Sequence, residues 1–599
     1  MIGGPRSLSQ ARESGWSQLG AGASGERCSC CRPSIRSMMA LLALMWAGCA
    51  SDQVSDTGPI GTYQQTLAGQ GPQERVDPRG EDTEHPLGVL EPAPGPTAAT
   101  LGQIEVVEDP AGGRKIARLA LEQAVVRTLA HSPQIRVVSF DPAIARAEIT
   151  KAAAVFDPAA FTRLDTEQTE HPRNSIFEPG QSDTRTWETG FRQRVTTGAQ
   201  WSFSYALVRR WDDLIGRTLH TRYEPLLAFQ LRQPIFRDGW EQVNLAGISV
   251  ANLNHVIALA GFRQRAEEVS TQVISAYWAL VQTRHDFEIQ KVLLDQALET
   301  LAKVQGREGI DATAVQLKQV EAALKLREAF LLQAKKRVSD AQDALLGLMA
   351  DPQVNLVTDT EIIPITDPYR EIKELEPEKL LALALQNSPL VEQARIAIQI
   401  ADLNIEVAQN QAMPRLDLVA STQGTGLGEH TREANQSLEH DGYTDYTVGI
   451  VLEYPLGNRE RNAELHKRRL ERRRAISSLH ATSDQVAIAV RERMRKARTN
   501  YAEIEVQRQA TEAAEIQLQA LQDTEEVRQQ LTPEFLLVKL QAQQDLANAR
   551  HAENRAIVDY NIALAELAQA TGTVLQLHDL QEAVTTITEA ILTPPSSEE

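Results

Sequence analysis

The chain has 599 residues, a 5% share of aromatic residues and a formal net charge of −19. This acidic balance argues against a nucleic-acid partner, because phosphate binding needs clustered positive charge. All four cysteines lie between residues 28 and 49. The remaining 550 residues therefore have no disulfide framework and no thiol nucleophile.

The start of the chain predicts an export signal. Arg32 and Arg36 precede an apolar run at 38–47, and Ala47-Gly48-Cys49 follows at its end. A basic segment, an apolar segment and small residues before the cut are the parts of a secretory signal, and the run is too short to span a bilayer. Ala-Gly-Cys resembles a bacterial lipoprotein signal and predicts lipidation of Cys49, with ordinary signal cleavage nearby as the alternative.

The rest of the chain divides by composition and repeat pattern. We expect residues 1–49 to be an over-long start with the signal peptide, and 50–115, rich in Pro, Gly, Thr, Asp and Glu, to be a disordered tether. The other expected parts are a first repeat at 116–350, a connector at 351–376, a second repeat at 377–572 and a C-terminal tail at 573–599.

The two repeats are aligned by their prolines. Pro234 and Pro455 each stand where a strand-like alternation stops and a long helical pattern begins, at an offset of 455 − 234 = 221 residues. Proline suits such a changeover because it cannot donate to a strand ladder. Gly239 and Gly457 follow them closely. Upstream, His131-Ser132-Pro133 and Asn387-Ser388-Pro389 correspond at an offset of 389 − 133 = 256.

The strand regions of the two repeats differ in length. The first runs from Pro158 to Pro234, which is 76 residues, and the second from Pro414 to Pro455, which is 41, so the first has 35 extra residues. We expect either a long external loop or an extra hairpin there. Apolar residues alternate with polar ones, as in Trp201, Phe203, Tyr205 and Leu207 against Gln200, Ser202 and Ser204. This fits a transmembrane β-barrel, and it fits the edge of a soluble β-sandwich almost as well.

Long helical patterns follow each of the two prolines for about seventy residues. A heptad seam runs through Val273, Leu280, Phe287, Leu294 and Leu301. Seventy residues make a helix on the order of 100 Å, about three times the thickness of a bilayer core. With its many charges, such a helix must stand in water beside other helices.

Both long helices break at matching positions. The breaks are Gly306-Arg307-Glu308-Gly309-Ile310-Asp311 and Gln529-Gln530-Leu531-Thr532-Pro533, and Asp311 plus 221 gives Thr532. We expect Asp311 and Thr532 to cap the return helices, with Pro533 in the first helical position.

Taken in order, these elements resemble the TolC family of outer-membrane efflux proteins, over roughly residues 119–572. The resemblance rests on the paired Ser-Pro turns, the paired Pro-Ile-Phe and Pro-Leu-Gly junctions and the break at 309–311. It implies a mainly α fold with a transmembrane β-barrel part, in which a homotrimer forms one α/β-barrel duct. The implied location is the outer membrane, extending into the periplasm, and the predicted lipidation of Cys49 would add a lipid anchor.

The same resemblance implies the function and the partners. The chain would be the exit channel of a tripartite efflux pump or a type I secretion system, embedded in outer-membrane lipid. A periplasmic adaptor protein and an inner-membrane transporter would dock at the tips, near Gly309, Asp311, Thr532, Pro533 and Glu534. Family members narrow the tip with aspartates, and here only Asp311 and Glu534 are acidic candidates. The alternative hypothesis is a structural periplasmic coiled-coil lipoprotein without a pore.

No catalytic, cofactor or metal site is predicted, and the chain is not expected to be an enzyme. The pattern Gly424-x-Gly426-x-Gly428 is interpreted as a loop, and His430 and His440 as residues of an exposed loop that could also bind a metal. The basic run at 466–474 predicts an outward helix face, or a cationic ring if it faces the duct.

Overall fold

The computed structural model describes residues 105–108, 115–173, 175, 177–216, 218–307, 313–354, 360–440, 443–527 and 532–577. The predicted signal and Cys49 lie outside the described residues. The first described strand, Glu105–Glu108, falls in the stretch expected to be a tether. It pairs with the next strand, so the fold begins earlier than expected.

The first repeat contains four helices and four long strands after the two short strands. Pro133 starts the second helix because its fixed φ suits the first helical position and the preceding Ser132 is extended. The elements are β1 (Glu105–Glu108), β2 (Lys115–Leu119), α1 (Leu121–His131), α2 (Pro133–Ala153), β3 (Ala159–Glu170), β4 (Gln181–Arg194), β5 (Gln200–Asp212), β6 (Thr221–Pro234), α3 (Glu241–Gln305) and α4 (Ala314–Met349).

The second repeat follows the same order with fewer strands. The connector before it contains a strand that packs against the helices. The elements are β7 (Thr360–Pro364), α5 (Pro377–Asn387), α6 (Pro389–Gln411), β8 (Arg415–Thr425), α7 (Thr431–His440), β9 (Tyr443–Glu453), α8 (Arg459–Val527), α9 (Pro533–Ala570) and α10 (Val574–Leu577).

Six long strands form one antiparallel sheet in the order β3-β4-β5-β6-β8-β9. The 35 extra residues of the first repeat are therefore an extra hairpin, β4–β5, closed by a tight turn at 195–199. Four strands come from the first repeat and two from the second, so both chain segments return to the side on which they started.

A small sheet ties the two repeats together below the large one. It has the order β1-β2-β7, with β2 and β7 parallel. The Tyr277 hydroxyl is fully buried beside this sheet, donates to the carbonyl oxygen of Leu119 and accepts from the backbone N–H of Thr366. Arg127 and Asp351 form a buried ion pair of 2.5 Å next to them. The connector is thus held against the middle of the long helices.

The long helices α3 and α8 have 65 and 69 residues, close to the predicted seventy. Each pairs with its return helix, α4 or α9. In the predicted seam, Val273 and Leu280 are fully buried, whereas Leu294 is half-buried. Burial shifts there to Leu293, Ala297 and Val304, because an undistorted helix drifts from a seven-residue repeat.

Candidate functional site

The large sheet has one apolar face and one polar face. Residues directly opposite in the ladder share a face, so Phe191, Phe203 and Phe229 form one row across β4, β5 and β6. Leu418 and Ile450 continue this face on β8 and β9. Large side chains of this face remain exposed, among them Leu164, Trp187, Phe191, Val448, Ile450 and Leu452. A sheet that offers such a face to its surroundings is suited to lipid contact.

The opposite face of the sheet has the polar residues. Asp212 accepts a hydrogen bond from Arg222 at 2.6 Å, and Arg222 also pairs with Glu224. Nearer the helices, the buried Asp417 carboxylate accepts hydrogen bonds from Arg232 and Arg415, both at 2.7 Å. Charged groups paired in this way suit a water-filled interior rather than hydrocarbon.

A short helix packs on the apolar face at the loop end of the sheet. The loop expected at 424–442 contains α7, whose Ala434 and Leu438 are buried against the strands. Gly424, Gly426 and Gly428 lie along that face, and a Cβ atom at Gly426 would come within 2.3 Å of the Ala434 carbonyl oxygen.

The glycine pattern starts at the end of a strand and continues into the predicted loop, where Gly428 forms an isolated bridge with Tyr223. Gly424 belongs to β8, and the backbone N–H of Gly428 donates to Tyr223 on β6. The sequence signal that could have revealed α7 is the i, i+4 spacing of Ala434 and Leu438. His430 precedes this helix and His440 is its last residue. Among the described residues, no cluster of three or more His, Cys, Asp or Glu side chains could hold a metal ion.

The first strand-to-helix junction is tightly packed within the chain. Pro234 ends β6, and Gly239 approaches the Pro234 carbonyl so closely that a Cβ atom would lie 2.8 Å from its oxygen. Asn410, at the end of α6, accepts from the backbone N–H of Asp238 at 2.8 Å and donates to the carbonyl oxygen of Phe236 at 3.0 Å. The end of the second repeat's short helix thus clamps the junction of the first.

The second junction makes fewer contacts within the chain. Gly457 has a φ of 86°, which favours glycine, and Asn458 donates to the carbonyl oxygen of Ala412 at 2.8 Å. Leu456, however, is 94% exposed, and Tyr454 is also exposed. The backbone of the first junction is thus held by more hydrogen bonds within the chain, although its Phe236 and Trp240 side chains are also exposed.

The described part of the tip confirms one predicted cap and corrects the other. The Thr532 hydroxyl accepts from the backbone N–H of Phe535 at 3.3 Å, and Pro533 begins α9. Glu534 is exposed in the first turn. Helix α4, by contrast, is capped by Thr313 and not by Asp311, since the Thr313 hydroxyl and the Gln316 side chain bond each other's backbone N–H groups. Gly309 and Asp311 lie outside the described residues.

The basic run at 466–474 lies on the first turns of α8, just below the sheet. Arg468 pairs with Glu464 and Glu471, and Arg472 pairs with Asp402 on α6. Within the described chain, no partner is seen for Arg469, Arg473 and Arg474, which are exposed. Part of the run therefore holds α8 on α6, and part faces away from the protomer.

A buried acid that sequence analysis missed lies at the junction of the two repeats. Burial raises the pKa of Glu267 on α3 to about 7, although the Arg263 guanidinium at 3.2 Å opposes this effect. Arg263 also donates to the carbonyl oxygens of Asn387 and Gly572, at the ends of α5 and α9. The only sequence signal was the i, i+4 spacing of the opposite charges of Arg263 and Glu267.

Among the described residues, only α3 contains a stretch whose length and apolar composition would allow it to cross a bilayer. Only 17% of that apolar stretch is buried. Helix α3 packs against α2, α4, α6 and α9. One such helix is weak support for a spanning helix.

Three comparisons agree on the kind of protein. Residues 380–573 match the family model described as "Outer membrane efflux protein". The alkaline protease secretion protein AprF of Pseudomonas aeruginosa is 24% identical over 265 residues, which are 42% of this chain and 52% of AprF. The chain thus spans about half the length of that relative.

Solved structures match more of the fold. VceC, an outer membrane protein of Vibrio cholerae, aligns with a TM-score of 0.54 and 17% identity, covering 76% of this chain and 96% of VceC. The CmeC outer membrane channel of Campylobacter jejuni aligns with a TM-score of 0.55 and 13% identity, covering 80% of this chain and 90% of CmeC.

The two-faced sheet and the helices below it therefore define an outer-membrane channel fold with a long helical extension. Residues 380–573 match the outer membrane efflux protein family, and the chain shares the fold of solved outer-membrane channels of this type. This is a family of channel proteins and not of enzymes.

Proposed function

We propose that this protein is the outer-membrane exit channel of a tripartite efflux pump or a type I secretion system. It transports passively, with energy supplied by an inner-membrane transporter through a periplasmic adaptor. Three copies form the channel, with the sheets in outer-membrane lipid and the helices in the periplasm.

One observation carries the proposal: a sheet with an exposed apolar face leads directly into helices on the order of 100 Å. The apolar face suits lipid, while the ion pairs of Asp212 and Asp417 on the other face suit water. A soluble cap, as in the alternative of a structural lipoprotein, has no use for an exposed apolar face. The exposed apolar face thus favours the channel.

The helical ends opposite the sheet are the proposed docking sites for the adaptor. The first turn of α9 exposes Thr532, Pro533 and Glu534 at the described side of the tip. Gly309 and Asp311 belong to the same proposed surface. Lipidation of Cys49 would add a second attachment to the membrane.

Conductance of the purified protein in planar lipid bilayers tests the function. We expect large, discrete current steps, each from one assembled pore. A protein that leaves the membrane fraction at high salt and gives no current steps would support the structural lipoprotein instead.

A further inference from the structure

The large sheet ends in two strands that lack a second neighbour. In the described chain β3 pairs only with β4, and β9 pairs only with β8. Open strand edges are not tolerated in lipid, so each edge must meet another strand. The two edge strands run in opposite directions, which permits an antiparallel pair between β9 of one copy and β3 of the next.

The pairing of β6 with β8 inside the chain offers a template for this contact. In that pair Pro234 lies opposite Asp417. The repeat offsets of 221 and 256 residues convert these positions to Pro455, just after β9, and Phe161 on β3. The same register places Leu452 opposite Leu164 and Glu453 opposite Arg163.

Two features agree with this register. Leu452 and Leu164 are 67% and 78% exposed, and both belong to the apolar face. Glu453 and Arg163 carry opposite charges, and both belong to the polar face. A shift by one residue would place apolar side chains among polar ones on both faces.

The helices below the sheet also have a surface that fits another copy. The face of α6 that packs on α3 corresponds, at the offset of 256, to an exposed stripe on α2 that includes Val137, Phe140 and Ile144. Residues of both charges lie beside this stripe, and Glu148 pairs with Lys151 of the same helix. The equivalent of α3 in the second repeat is α8, which has the basic run 466–474 near the same level. The exposed apolar stripe of α2 can therefore pack against α8 of another copy, as α6 packs against α3 within the chain.

We propose that both strands of the hairpin β4–β5 belong to the wall of the pore; this proposal rests on the proposed function. Three copies then close a barrel of 18 strands, with six strands from each copy. In this barrel β9 of one copy pairs with β3 of the next, with Leu452 opposite Leu164. Barrel diameter grows roughly linearly with strand number, and barrels of 16–18 strands leave an aqueous channel. Without the extra hairpin the same ring would have about two thirds of the diameter.

Disulfide trapping tests the register. The variant L164C/L452C, oxidised in membranes, should give covalent dimers and trimers on denaturing gels, because opposite residues bring their Cβ atoms within disulfide reach. The matched control L164C/V448C keeps both cysteines on the apolar face but separates them by about four residues, or ~13 Å, and should stay uncross-linked. The single variants control for the native cysteines at 28–49.

The strand count needs its own measurement. Cryo-electron microscopy of the protein in lipid nanodiscs should show 18 strands. A 12-stranded ring with β4–β5 outside it, or cross-linking of L164C/V448C in place of L164C/L452C, would overturn the inference. Both results are separate from the current steps that test the channel function. An 18-stranded, cross-linked ring that gives no current would refute only the proposed channel function. Normal current without the L164C/L452C cross-link would refute only the proposed strand pairing.

Discussion

Replacing Glu267 by glutamine should remove a pH-dependent loss of stability. The folded pKa of this buried acid is raised, so the folded state binds the proton more tightly than the unfolded state does. The stability contribution is therefore fully present below pH 4.5, falls as the pH rises toward 7 and is lost above that. Glutamine cannot ionise, and its side-chain oxygen can still accept a hydrogen bond from Arg263.

The magnitude follows from the pKa. A rise from 4.5 to about 7 corresponds to about 3 kcal/mol between the two protonation states. E267Q should therefore gain about 3 kcal/mol over the unmodified protein at pH 8, and close to nothing at pH 4. Glu267 belongs to α3, about 39 Å below the start of that helix, so it titrates outside the membrane-spanning strands.

Unfolding of the detergent-solubilised protein, followed by circular dichroism between pH 4 and 8, measures this difference. E268Q is the matched control, because Glu268 is the next residue and its side chain is about one third exposed. The reasoning is refuted if E267Q and E268Q change the pH dependence equally, or if E267Q keeps the dependence of the unmodified protein.

Three further changes test the local structure. T532A should destabilise α9 by about 1 kcal/mol because it removes the cap, and amide exchange in the first turn of α9 should become faster. The control T524A, on α8, should leave this exchange unchanged. Equal effects of the two variants would contradict the capping role. G457A should lower the free energy of unfolding by about 1–2 kcal/mol, because Gly457 has a φ of 86° that alanine adopts only with strain. The control G449A, at a position with open space around it, should leave the free energy of unfolding unchanged. R327M should cost about 1–3 kcal/mol, since the buried guanidinium donates to Leu293 and Gln543 and its removal leaves these acceptors unpaired. An unchanged unfolding midpoint for R327M would show that these acceptors find other partners.

The sequence predicted the parts of the fold that depend on local patterns. Alternation in β5 and β6, the Ser-Pro starts of α2 and α6 and the Thr532 cap follow from residues within one turn or one strand. The two prolines marked both junctions for the same reason. These features need no knowledge of distant contacts.

Features that depend on distant packing were missed or misplaced. The choice between a loop and a hairpin for the 35 extra residues depends on the pairing of β4 with β5 and β3, which no short window contains. The Thr313 cap, by contrast, is a local feature that the Thr313-x-x-Gln316 spacing of a capping box could have revealed. Glu267 looks like a surface residue until α3 packs against both repeats.

Helix α7 limits the height at which this protein can contact hydrocarbon. Its outward side, with Arg432, Glu433, Gln436 and Glu439, is polar, so it cannot sink below the headgroups although it lies on the lipid-facing side of β8. From Leu416 to Gly424, eight steps of about 3.3 Å give ~26 Å along the strand, and a tilt of about 40° leaves ~20 Å of depth. The protein is thereby matched to a thin bilayer, and a thicker one would have to compress around it.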